Sequence, residues 1–436
     1  MNNKPKLIIR MGSHAEKDYV LKLDKKFDGI VIGANVVEAT AGATASLLGQ
    51  KLKLPYYIDP MTYVFGCDLD GIRSEQKRKK KVIIDYKRSY KSLANELGKL
   101  FSDALENKSR IYPEKIPTSM VKTICQDVIN YQLNRIRQEF QKDKEYSNYV
   151  DSIPNVAGVF SPYFYIPSIS GKDWNVFLSL STTTANIKPP VPVYSVLCAN
   201  SEVLNDDAFV EKAIKEIPQT GVNGVWLWFS NFDELNADEE QLVNFRALVE
   251  QLSDKKLEVY NRHGGYFSLI LHKVGMTGIS HSIGYGEKKD VLQIEGPPNA
   301  PVVHYYLPDI HKRFGVPDIE RCFDEMKIVS PKDFYEHMCD CVICKGVIKD
   351  NIEDFKKFGE DRYATPESKR KSQTPAAAKR CRFHFLINRI REKEFISSKD
   401  LKTIVKQIND TQEKWKEQVI IARYGTHLAR WEKALS

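Results

Sequence analysis

Short stretches of apolar, β-branched or aromatic residues recur along the first 330 positions, and helical patterns lie between many of them. They read KLIIRM (6–11), FDGIVIGANV (27–36), LPYYIDP (54–60), NVAGVFSPYF (155–164), WNVFLSLS (174–181), PVYSVLCAN (192–200), NGVWLWFS (223–230), YFSLILHKV (266–274), GISHSIGYG (278–286) and PVVHYYLP (301–308). Each is bounded by residues such as Gly, Pro, Asn or Ser, which punctuate strands. Several are apolar without alternation, as a strand buried on both faces is. The intervening ATAGATASLLGQKLK (39–53), DDAFVEKAIKEIPQ (206–219) and DEEQLVNFRALVEQLSDKK (238–256) have helical spacing. Strand followed by helix, repeated, predicts an α/β fold with a parallel sheet. About eight such units predict a (β/α)8 TIM-like barrel whose active site lies just beyond the strands' C-terminal ends. An open doubly wound sheet is the alternative.

Two segments break the rhythm. Residues 82–150 read as two long helical patterns without a strand between them, a helical insertion within a barrel domain of residues 1–330. From about residue 331 to 436 the strands give way to a cysteine cluster, a basic loop and helices. No run of about 18 uncharged apolar residues appears, so a membrane span is not expected. The start, MNNKPKLIIRMGSH, lacks the apolar core of a secretory signal, and a cytoplasmic location is expected. Five scattered cysteines, Cys67, Cys125, Cys198, Cys322 and Cys381, suit reduced buried thiols better than a disulfide framework.

The net charge of +8 is modest but clustered, in QKRKKK (76–81) and in SKRKSQTPAAAKRCR (368–382). Either run can follow a phosphate backbone and release counterions, so a polyanionic partner is expected. Cys339, Cys341 and Cys344 crowd into EHMCDCVICKG (336–346). Thiolates at C-x-C-x-x-C spacing meet on one turn, and a tetrahedral ion such as zinc then needs one further thiolate or imidazole. His384 and Cys381 are the downstream candidates, and His337 is a weaker choice. An iron–sulfur cluster would instead need Cys381. Four protein ligands close the site, making it structural.

At these residues the chain resembles the tRNA-guanine transglycosylase superfamily, in which a barrel is followed by C-x-C-x-x-C and a histidine that together bind structural zinc. The resemblance implies base exchange through a covalent bond between an aspartate and the sugar C1′. It implies zinc at Cys339, Cys341, Cys344 and His384. YYIDPMTYVF places Asp59 at the aspartate of the family's D-S-G-G-F-Q motif, whose glycines and glutamine are replaced here. Cys198 and Ala199 stand where the family reads the base with a glutamine. NGVWLWFSNFDE falls at its glycine-rich backbone contact, and VVHYYLPDIHKR at its nucleophile strand, with His304 in register and Asp309 the nearest carboxylate. These departures resemble the DNA-directed branch that inserts 7-deazaguanines such as preQ0, known from phages and bacterial modification clusters. The partners implied are DNA, a free 7-deazaguanine base and proteins of a modification complex. Action on tRNA, or an inactive nucleic-acid-binding barrel, are the alternatives.

Without the family, Asp59, Asp233 and Asp309 are the strand-end carboxylates fit for glycosidic chemistry. Tyr57, Tyr63, Phe65 and Phe232 offer faces for an extruded base, with Tyr56, Tyr163, Tyr165 and Trp228 beside them. Gly284 and Gly286 allow close backbone approach to a ligand, and His304 can donate to a leaving base or a phosphate.

Overall fold

The computed structural model describes residues 4–78, 81–142, 150, 152–168, 171–284, 286–294, 302–363, 371–418, 422–423 and 425–436. Residues 79–80 and 368–370 of the basic runs, 143–149 of the second long helical pattern and Tyr285 lie outside the described residues. In chain order the strands are β1 (Lys6–Met11), β2 (Gly29–Gly33), β3 (Tyr56–Asp59), β4 (Arg73–Arg78), β5 (Lys81–Tyr86), β6 (Val159–Phe160), β7 (Val193–Asn200), β8 (Gly224–Ser230), β9 (Glu258–Asn261) and β10 (Met276–Ser282). Among the described residues, eight of them form one sheet in the order β3-β2-β1-β10-β9-β8-β7-β6. Every pairing within it is parallel.

The sheet comes nearly full circle into a barrel. Across its two edges Ala157 N donates to Tyr56 O at 2.8 Å. The short β6 leaves backbone groups needing partners, and the Gln132 side chain supplies them. It accepts from Phe160 N and donates to Phe160 O, both at 2.8 Å. Gln132 belongs to the helix Thr118–Gln141, which lies between β3 and β6 in sequence. At β10 an ideal Cβ on Gly278 would stand 2.4 Å from Lys6 O, so a side chain there would force β10 away from β1.

The barrel interior is aromatic. Tyr57, Phe160, Tyr194, Trp226 and Tyr260 form one layer, with Trp226 stacked on Tyr260 at 4.8 Å. Such a layer buries large apolar area while its phenolic tips find partners: Tyr194 and Tyr260 both donate to Glu258 at 2.8 Å. The outer helices follow the spacing read from sequence. Glu239–Asp254 buries Leu242, Phe245, Leu248, Val249 and Leu252 and is capped by Asp238, which accepts from Gln241 N. The helix Asp207–Glu216 is capped in the same way by Asp206.

Several local expectations are corrected. Residues 174–181 lie in the helix Lys172–Ile187, whose buried Trp174, Phe177, Leu180, Ser181 and Thr184 keep a helical period. Residues 266–274 form the short helix Tyr266–Ile270 and a 3₁₀ turn. Tyr266 to Leu271 are all buried, so no polar face betrays the helix. The true strand beside them is β9. Within the expected helical insertion, VIIDY is strand β5, which forms an antiparallel hairpin with β4. PVVHYYLP supplies β11 (Tyr305–Leu307), hairpinned to β12 (Lys312–Phe314) outside the barrel sheet. Strands also continue beyond 331, as the small hairpin of β13 (Asp361–Tyr363) and β14 (Lys371–Gln373).

The C-terminal helices dock on the barrel. The helix His427–Leu435 is held by Trp431 Nε1 donating to Glu234 O at 2.7 Å and Arg246 donating to Ala434 O at 2.9 Å. No described helix is long and apolar enough to cross a membrane.

Candidate functional site

The C-terminal ends of β1, β2, β3, β9 and β10 surround a pocket of about 620 Å³, lined among others by Arg10, Gly33, Asp59, Arg262 and Ser282. The size is that of a small-molecule site, about 300–1,000 Å³, and the place is where barrel enzymes do their chemistry. Parallel strands put it there, because the last side chain of each strand reaches the same rim.

Asp59 closes β3 and is 4% exposed. Its Oδ1 accepts from the Tyr163 hydroxyl at 2.8 Å and from Met61 N at 3.1 Å. Met61 takes a left-handed backbone, φ 52°, which turns the chain back toward the carboxylate. Its Oδ2 pairs with Arg262, 1% exposed, which follows β9 directly. Arg262 N donates to Leu227 O at 2.9 Å, and Arg262 O accepts from Ser280 Oγ at 2.6 Å, so the backbone carrying the guanidinium is fixed from two neighbouring strands. The guanidinium lies 4.9 Å from the Trp228 ring centre and 5.7 Å from that of Tyr163. Tyr63 stacks on Tyr163 at 5.6 Å and meets Trp228 edge-on at 4.9 Å. This is an aromatic cradle around a fixed ion pair.

More cations line the same pocket. Arg10, the penultimate residue of β1, approaches His263 Nε2 at 3.4 Å, while His263 Nδ1 lies 3.1 Å from Gly286 O. The carbonyl must accept and the guanidinium must donate, which assigns a neutral His263 with its proton on Nδ1. Burial and the neighbouring Arg10 and Arg262 push its pKa well below the usual histidine range. Burial, then Arg262, lower Arg10 to about 10. Burial, then Arg10 and Arg262, lower Lys289 to about 7. Gly286 keeps the loop close at φ 118°, where a Cβ would meet Ser282 Oγ at 2.4 Å.

The residues expected from sequence divide sharply. Asp59 and Tyr63 line the pocket, and Gly286 supports it through His263. Gly284 packs against Arg382 at its edge. Tyr57 belongs to the barrel interior. Phe65 packs on Phe101 at 5.2 Å and Phe232 on Phe245 at 5.0 Å, both in the core away from the pocket. Asp233 organises the turn after β8, accepting from Leu235 N at 3.1 Å and pairing with Lys288 at 2.7 Å. Asp309 sits in the turn of the β11–β12 hairpin, paired with Lys414 and accepting from Trp415 Nε1 at 3.3 Å. It is therefore not at a barrel strand end, and His304 is exposed just before β11. Arg10, Arg262 and Lys289 were not anticipated. An arginine near the end of the otherwise apolar LIIRM is a usable signal, whereas Arg262 follows β9, which is too short to stand out in the sequence.

The cysteine cluster is complete. Cys339, Cys341, Cys344 and His384 are all buried, with their ligand atoms within 4.8 Å of one another. His384 Nδ1 lies 3.3 Å from the sulfurs of Cys341 and Cys344. Its Nε2 is 2.6 Å from Tyr306 O, to which it donates, fixing the tautomer that aims Nδ1 at the thiols. Cys344 N donates to Cys341 Sγ at 3.4 Å. Cys381 points elsewhere, toward Phe358 O at 3.3 Å, and is excluded as a ligand of this cluster. Three thiols and one imidazole in a closed, buried set can hold a metal ion, and the donor set is consistent with zinc. The cluster fastens the helices Val342–Ile348 and Pro375–Ser398 to each other, and His384 ties both to β11.

No family model and no curated protein sequence matches the chain.

Proposed function

We propose that this protein exchanges guanine in DNA for a 7-deazaguanine base, with Asp59 as the attacking carboxylate and a structural zinc ion at the Cys339, Cys341, Cys344 and His384 cluster. The observation that carries the reading is the placement of Asp59. It is a carboxylate at a strand end, oriented by Tyr163, Met61 N and Arg262, on the wall of a pocket large enough for an extruded nucleoside.

An Asp59 oxygen attacks C1′ of the target nucleoside. The C1′–N9 bond breaks, and guanine leaves with the bonding electrons and takes up a proton. A 7-deazaguanine that has given up the corresponding proton then attacks C1′ and expels the carboxylate. One glycosidic bond is lost and one made, so no external energy source enters. Arg262 holds the carboxylate in place, and Tyr63, packed on Tyr163 and Trp228, forms part of the pocket wall beside it. The two basic runs, 76–81 and 368–382, supply cations that can follow a strand's phosphates.

The test is incubation of the full chain with labelled guanine or preQ0 and either duplex DNA or tRNA. Label is expected in DNA, and Asp59→Asn should abolish it, by on the order of 10⁴-fold or more as for other removed nucleophiles. Label only in tRNA would redirect the reading to tRNA. The Arg262 ion pair, which occupies one carboxylate oxygen, favours a second reading, an inactive barrel that only binds nucleic acid. Binding without incorporation into either would select it.

A further inference from the structure

The pocket at the barrel mouth holds more donors than its own acceptors use. Arg262 spends NH2 on Asp59, while its Nε and NH1 are buried without a hydrogen-bond partner. Arg10 reaches His263 through NH1, and its Nε is likewise buried and unpartnered. Among the described residues the Lys289 ammonium has one polar contact, the Tyr63 hydroxyl at 3.5 Å. The carboxylates on the same wall do not balance these cations. Asp59 is committed to Arg262, Tyr163 and Met61 N, and Glu16 accepts from Gly12 N at 2.7 Å. Buried charged groups persist where something pairs with them.

We infer that Arg10, Arg262 and Lys289 form a subsite for a phosphate ester of the ligand. On the reading proposed above, on which this inference rests, it is the phosphodiester adjoining the extruded guanosine. Two guanidinium forks and an ammonium match the several oxygens of a phosphate better than they match a neutral base edge. Its charge would also relieve the mutual repulsion that, together with burial, holds Arg10 at about 10 and Lys289 at about 7. The subsite and Asp59 share one wall, so a phosphate held there places the attached sugar beside the carboxylate.

Calorimetric titration of the full chain tests this without any exchange reaction. The ligands are 2′-deoxyguanosine 5′-monophosphate, 2′-deoxyguanosine and inorganic phosphate. The monophosphate is expected to bind at least about tenfold tighter than the nucleoside, the difference of one charge-assisted contact. Inorganic phosphate should compete with it. Arg10→Gln should remove most of that preference. Arg10 is only part-buried, so this variant keeps the test readable if changes at Arg262 disturb folding. Equal affinity for the two ligands, an Arg10→Gln preference equal to wild type, or no monophosphate binding at all overturns the subsite. A retained phosphate preference in a protein that exchanges no base would leave the subsite standing and remove the transglycosylase reading. Exchange without the preference would do the reverse.

Discussion

Breaking the Asp59–Arg262 pair tests the geometry of the site directly. Arg262 is 1% and Asp59 4% exposed, so replacing one partner strands the other charge in the interior. Among the described residues, Arg262→Met leaves the Asp59 carboxylate with the Tyr163 hydroxyl and Met61 N as its donors. Truncating one side of a buried pair costs about 3–5 kcal/mol, because the remaining ion keeps its desolvation penalty. The guanidinium also stands 4.9 Å from the centre of the Trp228 ring, a contact worth about 0.5–2 kcal/mol, which places the expected loss toward the upper end. Asp59→Asn keeps an acceptor for Arg262 NH2 but removes the countercharge, and should cost less. The double variant carries neither charge. It should therefore be more stable than the sum of the single losses implies, by about 2 kcal/mol or more. Urea unfolding of the four proteins in zinc-containing buffer, followed by far-ultraviolet circular dichroism, gives each free energy from its midpoint and slope. Losses that add to within about 0.5 kcal/mol would show the two groups to be independent, and the account of an oriented Asp59 would fail.

Cys341→Ser should abolish bound metal and expose the C-terminal helices to proteolysis, since a structural zinc site contributes about 10–16 kcal/mol, as much as a whole domain's stability. Cys381→Ser should retain full metal content in elemental analysis, because that thiol faces Phe358 O instead. Burial lifts Glu234 from 4.5 to about 7 despite hydrogen bonds from Ser268 and Gly265 N. A carboxyl raised in the folded state stabilises fully below its unfolded pKa and loses that contribution as pH rises through about 7. Wild type should therefore lose roughly 2–3 kcal/mol relative to Glu234→Gln between about pH 5 and 8, measured by denaturant midpoints at each pH. Lys289 is lowered to about 7, so affinity for the nucleoside monophosphate should fall as pH rises through that value and the ammonium loses its charge. Lys289→Met should flatten the fall.

Much of the barrel was legible because its strands are buried on both faces. β1, β2, β3, β7 and β8 each appear in sequence as a largely apolar run closed by a turn residue. Where burial surrounds a helix as well, that signal loses meaning. Residues 266–274 are a helix and a 3₁₀ turn hidden in the same hydrophobic code, and the four-residue β9 beside them is too short to stand out. The three thiols of the cysteine cluster were legible through spacing, and Asp59 through its place before a proline at a strand end. The choice of His384 over Cys381 needed the fold. Both lie on one helix, three positions apart, and only His384 faces the thiols. Arg10, Arg262 and Lys289 come together from β1 and from the loops after β9 and β10, a meeting that no local pattern announces. Asp309 stands apart from the barrel mouth for the opposite reason. Its Leu-Pro-Asp context looked like a strand end, but the strand is half of an external hairpin.

In the proposed exchange Asp59 bonds to the sugar. Quenching the full chain on guanine-containing duplex DNA, in the absence of incoming base, and mapping the adduct by mass spectrometry measures that bond. A deoxyribosyl adduct is expected on the peptide containing Asp59, and none in Asp59→Asn. An adduct on another carboxylate, or base exchange proceeding with no adduct on Asp59, would contradict it.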